Sequence, residues 1–218
     1  MGFDHACFIS YRHPDPKVDH PLEEEFAEDL RIALDSEFSA HFKLRAFRDD
    51  KGLRGGDFID EAIALALYHS VCLVVVFTRR YFDLEKTYCA REYYAMENLE
   101  RERLRHLSAG NRSRGLILPI ILRSPEHIPE VVTKRKYRDF RECGIYQREL
   151  RRDPFGPVIR EIANDVVNCY DDFMKCGVEV CPDVPCYKLP DETRVRRWLS
   201  QITKGEPGPQ LPLRKGRQ

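Results

Sequence analysis

The chain contains 218 residues, enough for one domain of common size and an extension, and its 36 Lys and Arg residues balance 36 Asp and Glu residues. A formal net charge of zero provides no global field for nucleic acid or an anionic membrane, so we expect neither as a partner. The longest apolar run, residues 71–77, is too short to span a bilayer, and the N-terminal residues lack a secretion-signal pattern. We therefore expect a cytoplasmic protein.

The eight cysteines fit a reducing compartment better than a disulfide framework. Cys7 and Cys72 lie within apolar runs that predict buried strands, where a thiol acts as a small apolar side chain. The spacing of Cys176, Cys181 and Cys186 lacks both a paired C-x-x-C and a nearby histidine. Because a structural zinc site needs four such ligands, we predict no metal site.

Apolar periodicity predicts strands that alternate with helices along the first 175 or so residues. The predicted strands are residues 6–11, 43–47, 71–78, 116–122 and 137–140. The predicted helices are residues 22–38, 58–67, 88–107 and 157–173. Such alternation is typical of a parallel sheet covered by helices on both faces. Pro119 interrupts the fourth strand and predicts an edge or a bulge there, because proline donates no ladder hydrogen bond.

The composition changes near residue 177, where prolines become frequent and the chain continues to a basic end. We therefore predict one domain over residues 1–177 and an extension over residues 178–218. A short amphipathic helix is predicted between residues 191 and 202, with Val195, Trp198, Leu199 and Ile202 spaced to dock on the domain or on a partner. Beyond Gly205 we expect disorder.

Three loops are candidates for a ligand site. In an open doubly wound sheet, ligands bind where the strand order reverses, which for the order 2-1-3-4-5 lies between strands one and three. Residues 10–13 (SYRH) and 78–82 (TRRYF) flank that crevice. Residues 48–57 hold three glycines but match neither GxGxxG nor GxxxxGK[ST]. They either contribute to the site or simply connect to a helix capped by Asp57.

Glu92 is a candidate catalytic residue on the predicted helix 88–107. One acidic residue on a charged helix is by default solvated or half of an i,i+4 ion pair. Here, however, Tyr88 lies four residues earlier on the same face, and the apolar residues Met96 and Leu99 continue near it. A carboxylate on a largely apolar stripe indicates a functional role.

Three segments of the chain resemble those of the Toll/interleukin-1 receptor (TIR) domain. Residues 3–11 (FDHACFISY) look like the family's first box, and residues 47–58 (FRDDKGLRGGDF) look like its second box and BB loop. Residues 78–92 (TRRYFDLEKTYCARE) are similar to its third segment, although Tyr88 stands where the family usually has Trp. The resemblance implies a flavodoxin-like α/β fold with a five-stranded parallel sheet of order 2-1-3-4-5 and helices on both faces.

The resemblance also implies a reaction. In the TIR domains that cleave NAD, the glutamate of the third segment is catalytic, and it falls on Glu92. NAD is then the substrate, and no cofactor is expected. Nicotinamide leaves as a neutral molecule, so a single ionised carboxylate can stabilise the oxocarbenium-like ribose without a general acid. The products would be nicotinamide and either ADP-ribose or a cyclic ADP-ribose isomer. The NAD-binding residues that the resemblance implies are Ser10, Tyr11, Arg12, Asp49, Gly55, Gly56, Phe58, Thr78 and Tyr88.

The likeness is greatest to bacterial TIR proteins, which implies a role in antiviral defence or immune signalling. It further implies self-association through TIR–TIR contacts, and the extension would contact a sensor or effector protein. The alternative is a non-enzymatic TIR scaffold that mediates homotypic assembly. A response-regulator receiver would share the fold, but it needs a phosphoacceptor Asp after strand three, where this chain has Thr78.

Overall fold

Five short strands form a single sheet in the part of the chain that the structure describes. In the computed structural model, that part comprises residues 2–14, 22–49, 59–107, 115–123, 128–142, 150, 154–178, 180 and 187–202. The strands are β1 His5–Ser10, β2 Arg45–Phe47, β3 Ser70–Phe77, β4 Ile117–Ile121 and β5 Arg138–Asp139. Their order is β2-β1-β3-β4-β5 and every pairing is parallel. The flavodoxin-like order predicted from the sequence is therefore confirmed.

Helices cover both faces of this sheet. Those of the described residues are α1 Leu22–Phe38, α2 Ile59–Tyr68, α3 Tyr88–Arg103, α4 Glu130–Thr133, α5 Gly156–Lys175 and α6 Glu192–Ile202. α1 packs against α5, and α2 packs against α3. The predicted helix 88–107 ends earlier than expected, at Arg103, because residues Leu104–His106 tighten into a 3₁₀ turn.

The apolar residues of the central strand β3 form a continuous run and do not alternate with polar residues. All eight residues of β3 are buried, since β1 and β4 flank it and helices lie above and below. Pro119 lies within β4, where it is opposite Val75 of β3. On its other side, β5 pairs with β4 only at Ile120 and Ile121. Pro119 therefore lies at a position with a described strand partner on one side alone, which agrees with its missing amide donor.

The helix faces follow from apolar spacing. α1 buries Phe26, Leu30 and Leu34 and has three acidic residues in its first turn, where they complement the helix dipole. α5 buries Ile159, Ile162 and Val166. Val158 and Tyr170 lie beside this face and are only partly buried.

The structure describes five of the eight cysteines. Cys7 and Cys72 are buried free thiols in adjacent strands, as expected for core residues. Cys176 is exposed, whereas Cys181 and Cys186 lie outside the described residues.

Across the described ranges, no helix is both long and apolar enough to cross a membrane.

Shortening a buried side chain of the central strand should destabilise the domain far more than shortening an exposed side chain. Leu73 is fully buried in β3, whereas Leu84 is 51% exposed. We expect Leu73→Ala to lower the free energy of unfolding by about 2–5 kcal/mol because it leaves a cavity. The matched variant Leu84→Ala should change it by less than about 0.5 kcal/mol. Urea denaturation measures both, and equal effects would contradict the assigned burial.

Candidate active site

The candidate site lies at the carboxyl ends of β1 and β3. β1 has β2 on one side and β3 on the other, so the connections of these two strands diverge and leave a crevice. Ser10 is the last residue of β1, and Thr78 directly follows β3. α3 begins ten residues after Thr78 and returns Glu92 to the same end of the sheet. The topology thus brings together segments that are about 80 residues apart in the chain.

Glu92 is held there by a hydrogen bond from Ser10. The Ser10 hydroxyl donates to Glu92 Oε2 at 2.5 Å, and Tyr81 Oη lies 2.6 Å from Ser10 Oγ. Because the one proton of Ser10 is used toward Glu92, Tyr81 is the donor of the second bond. Burial raises the pKa of Tyr81 well above its ordinary value, so its hydroxyl keeps that proton. The three side chains form a donor chain that ends on the carboxylate.

The Glu92 carboxyl group is buried to an extent that is unusual for a glutamate. It is 4% exposed, and across the described residues its hydrogen bonding is limited to Ser10. Burial, reinforced by the negative charge of Asp49, raises its pKa from 4.5 to about 8. The Ser10 hydrogen bond and the charges of His13 and Arg91 lower the pKa but do not offset burial. At this pKa the carboxyl group is mostly protonated at neutral pH, which differs from the expectation that it is ionised.

The helical face of Glu92 agrees with the sequence pattern except at Tyr88. Met96 and Leu99 are buried, as the apolar stripe predicted. Tyr88 is the first residue of α3 and is 48% exposed, so it does not belong to that stripe. Its ring instead lies against Arg91, with 5.4 Å between the guanidinium carbon and the ring centroid. The exposure is specific to Tyr88, because the next three residues of the same first turn are buried.

The loops around the crevice are tied to one another by polar contacts. Arg12 Nη2 donates to Asp83 Oδ2 at 3.3 Å, which joins the loop after β1 to the loop after β3. His13 Nε2 lies 2.6 Å from Asp49 Oδ2, which joins the loop after β1 to the loop after β2. Cys89 adds a hydrogen bond from its thiol to the Tyr11 carbonyl at 3.3 Å. The walls of the crevice are thereby fixed relative to the start of α3.

The structure brings together six of the residues predicted for the site. Ser10, Tyr11, Arg12, Asp49, Thr78 and Glu92 all lie at this end of the sheet. The Thr78 hydroxyl is buried and has no hydrogen-bond partner among the described residues, so it is an unsatisfied polar group at this end of the sheet. Gly55, Gly56 and Phe58 lie outside the described residues, and their assignment stays a prediction.

Four residues that contribute to the site were not selected from the sequence. Tyr81 and His13 were part of the flanking loops, but nothing in the local pattern distinguishes a loop aromatic that completes a hydrogen-bond chain. Asp83 partners Arg12, and Arg91 lies beside Glu92, yet both read as ordinary surface charges. Their roles depend on tertiary contacts between distant segments, which single-sequence periodicity does not contain.

The described residues contain no group of three or more His, Cys, Asp or Glu side chains that could hold a metal ion. The polar groups at the crevice are instead a buried carboxyl, hydroxyls and an arginine. That donor set suits an organic ligand with hydroxyl groups and a cationic or phosphorylated part.

The fold and the crevice define a doubly wound α/β domain with a buried carboxyl group at the switch point of the sheet. The chain belongs to the TIR domain family, whose model matches residues 7–152. Among solved structures, the chain is similar to the TIR domains of the activated Roq1 resistosome directly recognizing the pathogen effector XopQ, at 18% identity and a TM-score of 0.37. That alignment covers 89% of this chain and 96% of the other. No curated protein matches the sequence significantly.

Removing the Glu92 charge should stabilise the protein in a pH-dependent way. The folded-state pKa of about 8 lies above the ordinary value of 4.5, so the folded protein binds more protons between these pH values and loses stability as pH rises through them. Glu92→Gln abolishes that loss. We expect its advantage in free energy of unfolding over the wild type to grow by roughly 3 kcal/mol between about pH 5.5 and about pH 8.

Chemical denaturation at the two pH values measures this difference. Glu102→Gln is the matched control, because Glu102 is exposed on the same helix. A pH-independent difference between Glu92→Gln and the wild type would contradict the raised pKa.

Proposed function

We propose that this TIR domain cleaves the bond between nicotinamide and ribose in NAD. Water would add to the ribose carbon, so that NAD and water give nicotinamide, ADP-ribose and a proton. Attack by a ring nitrogen or hydroxyl of the same molecule would give a cyclic ADP-ribose isomer instead. The observation that carries the proposal is the buried Glu92 carboxyl group, which Ser10 orients at the switch point of the sheet.

The chemistry requires little more than one negative charge. The nicotinamide ring of NAD is cationic and departs with the bonding electron pair as a neutral molecule, so no proton has to be delivered to it. Positive charge develops on the ribose, and a carboxylate close to it is favoured in the transition state. The glycosidase pattern of two carboxyl groups is unnecessary because a sugar alkoxide, unlike nicotinamide, must be protonated as it leaves.

The raised pKa of Glu92 supports recognition of a cationic substrate. An unpaired carboxylate is costly in a buried site, and the bound nicotinamide ring supplies the missing positive charge. Binding therefore lowers the pKa and ionises the group only when substrate is present. The expectation that Glu92 works ionised applies to this complex, whereas the pKa of about 8 in the protein alone keeps the group mostly neutral at pH 7.

The remaining residues have supporting roles in this proposal. Ser10, backed by Tyr81, keeps the carboxylate in one orientation. The Thr78 hydroxyl, which has no hydrogen-bond partner among the described residues, would bind a ribose or amide group. Arg12 would meet a phosphate by exchanging its Asp83 partner, and Tyr88 would reach the nicotinamide ring by leaving Arg91.

We further propose that the active form is self-associated and cytoplasmic, acting in defence or immune signalling. A scaffold without catalytic activity is the second candidate. It is favoured by Tyr88, whose ring is half exposed and packs on Arg91 instead of on the face of Glu92. The two proposals differ in whether NAD is consumed.

Loss of the Glu92 carboxylate should slow turnover strongly. With concentrated protein, a crowding agent and NAD, we expect nicotinamide and one co-product by chromatography from the wild type. Glu92→Gln should be slower by about 10²–10³-fold, as for loss of a group that stabilises transition-state charge. Glu102→Gln should match the wild type. If the assembled wild type leaves NAD intact, the scaffold candidate replaces the enzyme.

The pH dependence of turnover should report the titration of Glu92. Because the reactive form is ionised and the free-enzyme pKa is about 8, kcat/KM should rise about tenfold per pH unit until about pH 8 and then level. In the complex, the substrate cation lowers the pKa, so kcat should level at a lower pH than kcat/KM. Steady-state rates across the pH range test both statements, and a kcat/KM that is flat between pH 6 and 8 would contradict them.

A further inference from the structure

The tail segment, defined here as residues 187–202, packs against the helix that carries Glu92. Val195 and Leu199 of α6 are fully buried and form a small apolar cluster with Ala90 of α3. This cluster is separate from the main hydrophobic core, which is formed by the sheet and the helices packed on it. The tail segment therefore adds a second contact surface to α3, on the side away from the sheet.

Aromatic rings strengthen this contact. Trp198 stacks on Tyr93 with ring centroids 5.9 Å apart, and it meets Phe82 and Tyr94 edge-on at 5.6 and 5.4 Å. Arg194 donates a hydrogen bond to Tyr94 Oη at 3.0 Å. The indole thus lies among rings of α3 and of the loop that leads into it.

Arg91 is the polar centre of the same contact. Its guanidinium group donates from Nε to the Pro190 carbonyl at 2.9 Å, and from Nη1 and Nη2 to the two carboxylate oxygens of Asp60 at 3.2 and 2.7 Å. It also lies against the ring of Tyr88. One side chain that is 7% exposed therefore joins the tail segment, α2 and the first turn of α3.

The tail segment packs on the face of α3 opposite Glu92 and does not cover the crevice. Successive helical residues are about 100° apart, so Glu92 is roughly 200° from both Ala90 and Tyr94, which contact α6. Glu92 accordingly faces Ser10 and the sheet, whereas Ala90 and Tyr94 face the tail segment. A segment in this place can support α3 but cannot block access to the carboxylate.

We propose that the tail segment is a brace for the active site and that Arg91 is the positioning residue through which it acts. With α6 docked, the Pro190 carbonyl and Asp60 fix the guanidinium group one residue away from Glu92. Without α6, Arg91 loses the Pro190 carbonyl and keeps Asp60, which is half exposed, and the ring of Tyr88. The outer face of α3 also loses its apolar cover. A partner that displaces the extension would thus reduce activity without entering the crevice.

The charge of Arg91 determines the direction in which the brace changes the pKa of Glu92. The charge of Arg91 lowers the pKa of Glu92 in the docked structure. A guanidinium group that moves into water is screened more strongly and opposes the burial effect less. Undocking α6 should therefore raise the pKa of Glu92 further and lower kcat/KM at pH 7, because a smaller fraction of the free enzyme is then ionised. Only this last consequence rests on the proposed function.

Two substitutions on α6 separate docking from general effects. Leu199→Asp places a carboxylate in the buried contact, whereas Gln201→Asp places the same group on the exposed face of the same turn. Both change the net charge by the same amount. Leu199→Met keeps the contact apolar and should behave as the wild type. Trp198 is the only tryptophan of the chain, so its fluorescence reports directly on docking.

We expect the emission of Trp198 to shift to longer wavelength in Leu199→Asp and to stay unchanged in Gln201→Asp and Leu199→Met. Carbon-13 NMR titration of glutamate-labelled protein, with the Glu92 signal assigned by Glu92→Gln, should show an upward shift of the Glu92 pKa in Leu199→Asp alone. An emission that Leu199→Asp leaves unchanged would overturn the brace, because α6 would then not be docked in solution. So would a red shift without an upward change in the titration of Glu92.

Arg91→Gln tests the same claim without altering α6. It should raise the pKa of Glu92 in the same direction, and an unchanged titration would overturn the role of Arg91 even if Leu199→Asp failed to fold. These readouts do not require turnover. If the wild type does not cleave NAD while Glu92 titrates as expected in the variants, the proposed function fails and the brace stands. If NAD is cleaved equally by Leu199→Asp and Gln201→Asp across the pH range, the brace fails alone.

Discussion

The burial of one carboxyl group against Ser10 is the interaction on which the rest of the site depends. A glutamate that is 4% exposed and lacks a basic hydrogen-bond partner among the described residues destabilises the folded chain near neutral pH. A protein that only needed to fold would gain stability from glutamine at this position. The proposed cationic substrate would offset this loss of stability, which links the structure to the chemistry proposed for it.

The surrounding fold supplies what such a group requires. Parallel strands β1 and β3 end side by side, and the loops beyond them are held by the pairs Arg12–Asp83 and His13–Asp49. α3 is fixed by the sheet on one face and by α6 on the other. A rigid environment of this kind keeps water from solvating the carboxylate, so the raised pKa and the orientation of Glu92 have the same structural origin.

Most of the fold could be predicted from the sequence because its strands are buried on both faces and its helices are amphipathic. The run VCLVVVF, rich in β-branched residues, was predicted as a buried strand and forms β3, and α1 begins and ends at the predicted residues. The errors lie at element ends, such as the 3₁₀ turn after Arg103, where local hydrogen bonding and not periodicity decides. The apolar spacing of residues 195–202 predicted an amphipathic helix, but its docking place on Ala90 depends on tertiary structure alone.

Only those site residues that lie at recognisable motif positions could be predicted from the sequence. Glu92 and Ser10 were selected from segments that resemble the family, and the structure places them in contact. Tyr81 and Arg91 were not selected, because their roles arise from contacts with Ser10 and with residue 190, which are 71 and 99 positions away. Tyr88 shares a helical face with Glu92 but is 48% exposed, so its burial did not follow from the apolar spacing, and its role in NAD binding stays a prediction.

The most direct test of this account is the titration of the Glu92 carboxyl group with and without a cationic NAD analogue whose ribose ring oxygen is replaced by methylene. This analogue keeps the nicotinamide charge but cannot form an oxocarbenium ion. Carbon-13 NMR should give a pKa of about 8 in the free protein and a clearly lower value in the complex. A pKa near 4.5 in the free protein, or one that the bound analogue leaves unchanged, would contradict the claim that a buried carboxyl group recognises the cationic nicotinamide.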